Sequence, residues 1–459
     1  MCWTLPALAR RHSPRRGRHR AAALGAVATL VTALAPGCSP PPAPSANAAD
    51  AGVRIDTRTP PGMRAKQTVD MLNSDWPIGP VGVRTLAAPD MVESVERSME
   101  ELWWDRPFTV GDVAISAGAA TLQLITSYGA RQNVRIHTDD ATLVDGFDVT
   151  TQAPVISSWR DVDATLTRTG ARYSWQVTKV DDGHCDRVAG TNTAESLPLA
   201  SIFKLYVLYA VAQAVNDGTV SWDDQLTVTD KGKAVGSGLE LPVGAHISVR
   251  TAAEKMIATS DNMATDLLIG KVGPHAVENA LVAAGHHDPA SMTPFPTMYE
   301  LFSVAWGKPD VREQWKQAVN PQARAQLLQQ ANSRVYQPDP TRAHTPASGF
   351  GAEWYGSAED ICRVHAALQA AAVGKAAPVK QIMSAVPGVD LDRRVWPYIG
   401  AKAGGLPGDL TFSWYAVDHT GQPWVVSFQL NWGRDHGPRV TGWMLQIARQ
   451  VFALLPMPR

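Results

Sequence analysis

The chain has 459 residues, of which 45% are hydrophobic and 19% charged, and a formal net charge of −1. That composition excludes a disordered, collagenous or coiled-coil chain, and the length implies two or three domains. Six arginines and no acid fall in the first twenty residues. The body is therefore acidic, its bases dispersed among acids, and lacks the basic face that nucleic-acid binding requires.

Arg10, Arg11, Arg15, Arg16, Arg18 and Arg20 precede the uncharged, Ala/Leu/Val-rich run 21–37. This is the layout of a secretory signal over residues 1–37; the apolar run is short for a bilayer span and made of small side chains, and a retained transmembrane helix is the alternative. Ala35-Pro36-Gly37-Cys38 resembles a bacterial lipobox. That resemblance implies lipidation of Cys38 and a protein held at the outer face of the cytoplasmic membrane. Cleavage near Ala46 to Ala49 is the alternative and would release a free secreted protein. Residues 38–60 have the Pro/Ala/Ser composition of a tether.

In the body, helical patterns at 62–73 and 89–104 precede alternating strand patterns at 108–115, 122–128 and 134–149. Helices then strands give a small α+β unit, 61–150. The element order resembles the cone-shaped nuclear-transport-factor and ketosteroid-isomerase-like domains, which implies a pocket but carries over no residues. Asp139 and Asp140 read as turn carboxylates.

A second unit, 154–459, opens with a helix at 157–169 and strands at 173–180 and 188–193. It closes with aromatic-rich strands at 410–417 and 424–432, a hairpin turn at 419–422 and a helix at 441–455. Strands from both ends around a helical middle imply one sheet built from opposite ends of the unit. Cys185 and Cys362 are its only cysteines. An oxidising envelope would allow them to pair, but their distance in sequence and the apolar helical pattern around Cys362 favour two buried thiols. The twelve histidines show no metal-ligand spacing, so neither a metal nor an organic cofactor is implied.

Three motifs carry chemistry. Ser201-Ile202-Phe203-Lys204 opens a helix that is apolar on nearly every face and stops at Asn216-Asp217-Gly218. Ser201 in the first turn meets unpaired N–H groups and the positive dipole end, which favour an alkoxide or oxyanion. Lys204, three residues on, shares its face, and a buried lysine of lowered pKa is what a serine's base requires. Ser260-Asp261-Asn262 lies between helical patterns at 252–259 and 263–269; alone, it is also a good helix cap. Lys402-Ala403-Gly404-Gly405 ends an apolar strand, 395–401, and its glycines allow close ligand approach.

In this order the motifs resemble those of the penicillin-recognising serine hydrolases: class A β-lactamases, penicillin-binding peptidases and related esterases. The phrases 200–204 and 256–266 are close to the class A pattern. With the isomerase-like unit in front, the chain resembles the two-domain β-lactamase-like protein of clavulanic acid clusters and its actinobacterial lipoprotein relatives. The resemblance implies an antiparallel sheet flanked by helices, an all-helical subdomain, and a small-molecule ester, amide or β-lactam substrate. It makes Ser201 the nucleophile, Lys204 its base and Ser260 the proton relay. Asn262 would hold the substrate amide and Lys402 its carboxylate, with Gly404 beside it, and the N–H groups of Ser201 and Gly405 would form the oxyanion hole.

Three departures qualify that reading. Ala403 stands where the family has Thr or Ser. The E-x-x-L-N string that carries the water-activating Glu of class A enzymes is absent; Glu300 lies at a plausible distance, in a helical context. The interval before the third motif is longer, with a polar helix at 310–333 and a Pro/Thr/Ala-rich stretch at 336–348. The expected activity is an envelope serine acyl-hydrolase, with esterase or weak β-lactamase action. The alternative is a protein that accepts an acyl group and senses it without turnover.

Overall fold

The computed structural model describes residues 53–236 and 238–455. The signal segment, Cys38 and most of the expected tether lie outside them. Helix α1, Pro60–Leu72, starts where Thr59 accepts the N–H of Gly62 and Pro60 fixes the first turn. Helix α2, Val92–Trp103, follows. Strands β1 Thr109–Ile115, β2 Ala119–Ile125, β3 Arg131–Thr138 and β4 Val144–Gln152 form an antiparallel sheet in sequence order. Ala65, Leu72, Met99 and Leu102 share a core with Leu122, Leu124, Val134 and Ile136. The single strand pattern expected over 134–149 is two strands. Asp139 Oδ1 accepts the N–H of Leu143 (2.8 Å) and turns the chain between them, as a turn carboxylate does.

Helix α3, Trp159–Thr167, leads into β5, Arg172–Asp181, and β6, His184–Thr191. Asp182 and Gly183, both at positive φ, supply the tight turn between the two strands. A 3-10 turn, Ala200–Phe203, then runs into α4, Lys204–Asn216. The helical middle continues with α5 Val249–Ala258, α6 Asn262–Val272, α7 Pro274–Ala283, α8 Met298–Trp306, α9 Arg312–Gln317, α10 Pro321–Asn332 and α11 Ala358–Ala371. The polar helix expected over 310–333 is broken into α9 and α10. Asn320 caps α10 through the N–H of Ala323, and Pro321 cannot continue the helix before it.

The chain closes with β7 Tyr398–Leu406, β8 Asp409–Val417, β9 Pro423–Asn431 and α12 Arg439–Ala453. The antiparallel sheet runs β7-β8-β9-β5-β6, so strands from both ends meet at β9 and β5, where Phe428 pairs with Trp175. Trp443, Ile447 and Leu166 cover one face with Trp414 and Phe428. Helix α11 packs over the other, and α4 packs against α11. Lys402 does not follow the strand but sits inside it: pairing of Gly404 with Thr411 and Gly405 with Leu410 carries β7 through both glycines.

Cys185 on β6 and Cys362 on α11 form a disulfide, correcting the expectation of two free thiols. Sheet pairing and helix docking bring together residues that sequence distance separates.

The front sheet unit touches the last loop of the chain. The Arg434 guanidinium donates to Trp104 O (2.6 Å) and to Arg106 O, and Asp105 Oδ1 accepts the N–H of Gly437 (2.8 Å). Trp104 stacks on His344, which pairs with Asp435 (2.7 Å). Among the described residues, no helix is long and apolar enough to cross a membrane.

Candidate active site

Ser201 lies in the 3-10 turn ahead of α4 and is half-buried. Two contacts fix the backbone before it. Leu199 N donates to Trp354 O (2.8 Å), and Thr411 Oγ1 donates to Leu199 O (2.9 Å). The Trp354 indole stacks on Phe203, ring centres 3.7 Å apart. Ala200 takes φ +43, a left-handed conformation that an alanine adopts only when its surroundings impose it. Strand β7 presses against this turn from the side. A Cβ on Gly404 would strike Ser201 N and come within 2.7 Å of Thr411 Oγ1, so only glycine fits.

Lys204 is fully buried. Its Nζ donates to Ser260 O (2.6 Å), Asn262 Oδ1 (2.9 Å) and Ser260 Oγ (3.2 Å). These bonds lead to the second motif. The long side chain reaches oxygens at the start of α6 and just before it. Ser260 itself is strained, at φ +56, a conformation that costs about 1–3 kcal/mol and turns both its oxygens toward Lys204.

Asp261 caps α6 through the N–H of Ala264 (2.8 Å) and also accepts that of Gly238 (2.9 Å). Asn262 passes one amide hydrogen to Val235 O (3.0 Å) and keeps a second donor, so the substrate-amide role expected for it is still open to it.

Lys402, buried on β7, brings its ammonium to Ser260 Oγ (3.0 Å) and Ala403 O (2.5 Å). Burial, and secondarily the charge of Lys204, pull its pKa well below the usual lysine value. Its carbonyl accepts the Ser413 hydroxyl (3.1 Å), which leaves Ser413 Oγ to receive His365 Nε2–H (2.9 Å). Burial holds His365 down to about 3, so the ring stays neutral. Ser260 Oγ thus accepts from two lysines, and its own proton remains to be donated.

Glu300 does not face this cluster as a free base. Both its oxygens are occupied: Oε2 accepts from Thr297 N and Oγ1 in the capping box of α8, and Oε1 accepts from Asn332.

Two acidic features were not legible in the sequence. Glu353 and Asp409 are buried near each other; burial, and after it the Asp409 charge, raises Glu353 well above the carboxylate range, and burial raises Asp409 to about 8. Asp266, in a string that reads as ordinary amphipathic helix, sets its carboxyl against the start of α8. An excess of acid within an apolar run was the only available signal.

Comparison with known proteins follows the same division of the chain. Residues 157–339 match the model of the beta-lactamase enzyme family, and 55–144 match that of the ORF 12 gene product N-terminal region. No curated protein matches. Among solved structures, a β-lactamase from Sphaerobacter thermophilus is 20% identical; the match covers 66% of this chain and all of that one, with a TM-score of 0.44. A structure of PBP-A is 15% identical, covering 65% and 96%, with a TM-score of 0.44. A class A β-lactamase of the last common ancestor of Gram-negative bacteria is 19% identical, covering 64% and 98%, also at 0.44. The segment that holds Ser201, Lys204, Ser260 and Asn262 is the segment that matches the beta-lactamase enzyme family.

Proposed function

We propose that the protein is a serine acyl-hydrolase working through an acyl-enzyme on Ser201. The observation that carries this is the placement of Ser260 Oγ between Lys204 (3.2 Å) and Lys402 (3.0 Å), the latter on the strand whose Gly404 presses against Ser201 N. Ser201 Oγ attacks the carbonyl carbon and Lys204 takes its proton. Ser260 passes a proton to the departing alcohol or amine, and Lys204 refills it. The N–H groups of Ser201 and Gly405 face the oxyanion, Asn262 the acyl amide, and Lys402 a substrate carboxylate. Esters and amides are the substrates, with weak action on β-lactams because Ala403 offers no hydroxyl. Export and lipidation at Cys38 complete the reading, and the Cys185–Cys362 disulfide suits an oxidising envelope. The two-domain proteins of clavulanic acid clusters are the kin this architecture suggests.

The second reading, an acyl-accepting sensor without turnover, draws on the engagement of Glu300 in a helix cap. Incubation with nitrocefin, p-nitrophenyl esters and a fluorescent penicillin, beside Ser201→Ala, tests both. Turnover and covalent mass that disappear in the variant support the hydrolase. No adduct from any acylating probe removes it, and a stable adduct without turnover selects the sensor.

A further inference from the structure

An ester carbonyl attacked by Ser201 gathers negative charge on its oxygen, and donors already aimed at that oxygen stabilise it without a cost in reorganisation. The N–H groups of Ser201 and Gly405 sit on two different segments, the 3-10 turn and β7, so one segment must be held in register with the other. The segments touch. A Cβ on Gly404 would lie 2.4 Å from Ser201 N and 3.0 Å from Ala200 Cβ. Contact alone, however, leaves a peptide free to tilt.

The Thr411 hydroxyl supplies the orientation. Thr411 is fully buried on β8, directly opposite Gly404 in the ladder. Its Oγ1 donates to Leu199 O (2.9 Å) and reaches Gly404 O at 3.3 Å. A hydroxyl carries one proton, so the two carbonyls share it. The Gly404 carbonyl and the Gly405 N–H belong to one planar trans peptide and point in opposite directions. A donor fixed behind that carbonyl therefore sets where the N–H points, and polarises it as a donor.

The other carbonyl governs the nucleophile. Leu199 O also accepts the Ile202 N–H (3.0 Å), the bond that closes the turn around Ser201, while Leu199 N donates to Trp354 O (2.8 Å). With Leu199 held at both its backbone groups, Ala200 takes φ +43 and the turn brings Ser201 N against β7. Gln429, the partner of Thr411 on β9, fixes the chain just before, with its amide 3.4 Å from Leu197 O and from Pro198 O.

We propose that Thr411 is a positioning residue for the oxyanion hole, its single hydroxyl tying the peptide that bears the Gly405 N–H to the turn that bears the Ser201 N–H. This rests on the acyl-enzyme reading above. Thr411 touches no reacting atom and moves no proton; it acts through two backbone carbonyls.

The test uses the full chain and the variants Thr411→Val, Thr411→Ser and Ser201→Ala, with p-nitrophenyl acetate as substrate and phenylboronic acid as inhibitor. Boron bonds to Ser201 Oγ as the serine proton passes to Lys204, giving a tetrahedral anion with an oxygen in the oxyanion position. Its inhibition constant therefore reads the hole itself. Thr411→Val lowers kcat/KM by about tenfold or more and raises the inhibition constant by the same factor; Thr411→Ser restores both. A role in packing alone would lower the melting temperature and leave the inhibition constant at its native value, which overturns the assignment. Where the valine variant does not fold, Thr411→Cys decides, because a thiol is a weak donor. Native hydrolysis that survives in Ser201→Ala removes the acyl-enzyme reading and this one with it. Hydrolysis lost in Ser201→Ala yet native in Thr411→Val removes this one alone.

Discussion

Lys402 Nζ approaches Ser260 Oγ to 3.0 Å from inside a β-strand, while Lys204 approaches the same oxygen from a helix. Two lysine amines therefore share one acceptor in a buried site, where a charge on one opposes a charge on the other. No carboxylate contributes to the depressed pKa of Lys402; burial and Lys204 account for it.

Lys402→Met separates stability from function. Between its lowered folded value and the ordinary lysine value, the unfolded chain holds a proton that the folded protein has shed, so native stability falls as pH falls. Methionine has no such proton. The variant gains melting temperature over native, more at pH 6 than at pH 9. It loses about ten- to a hundredfold in kcat/KM on carboxylate-bearing substrates, as one hydrogen bond to a charged group implies. Melting curves at both pH values and parallel kinetics check this; equal losses on neutral esters would refute the carboxylate role.

Ala403→Thr restores the hydroxyl that the resembled family places after this lysine. Ala403 is half-buried on the edge strand of the sheet and a β-branched residue suits a strand. Acylation by penicillin is expected to quicken by about tenfold or more. Stopped-flow labelling with a fluorescent penicillin measures it, and an unchanged rate would mean that recognition fails elsewhere.

The Glu353–Asp409 pair makes the fold sensitive to alkali. Its raised values mean that the folded protein keeps protons that the unfolded chain sheds near pH 4, so stability falls as pH rises from about 4 toward 8. Asp409→Asn removes one of these protons and the negative charge that faces Glu353. The variant therefore outlasts native protein by more at pH 8 than at pH 5 in thermal melts. The same difference at both pH values would count against proton linkage.

The disulfide closes a loop of 177 residues in sequence separation. Replacing both cysteines by serine costs about 2–5 kcal/mol. Native protein in reductant melts at the variant's temperature, and the variant does not respond to reductant. A native melt indifferent to full reduction would show that the bridge adds nothing.

Much of this arrangement is readable from local sequence, because periodicity, caps and turns act over a few residues. The helix after Ser201, the hairpin at Asp182-Gly183 and the meeting of terminal strands all follow from such signals. What tertiary packing decides was hidden. Lys204 has several acceptors within reach, and only the placement of α6 selects Ser260 and Asn262. Gly404 and Gly405 read as a strand end, yet the ladder to Thr411 and Leu410 holds them in the sheet. Cys185 and Cys362 could pair in an oxidising envelope, but no local signal favoured it, since their approach depends on α11 meeting β6. The carboxyls of Asp266, Glu353 and Asp409 become unusual only once burial is known.

The pairing of Trp175 with Phe428 also governs when the molecule can take shape. Strands β5 and β6 leave the ribosome early and wait for partners that are made last, so the sheet cannot close during synthesis. The apolar helices between them are free to collapse first, through contacts local in sequence, whereas sheet closure is a late, slow and non-local event. A chain threaded end-first through a channel would arrive on the far side with Ser201 already emerged but Lys402 still to come. Activity would appear only after the last strand has docked.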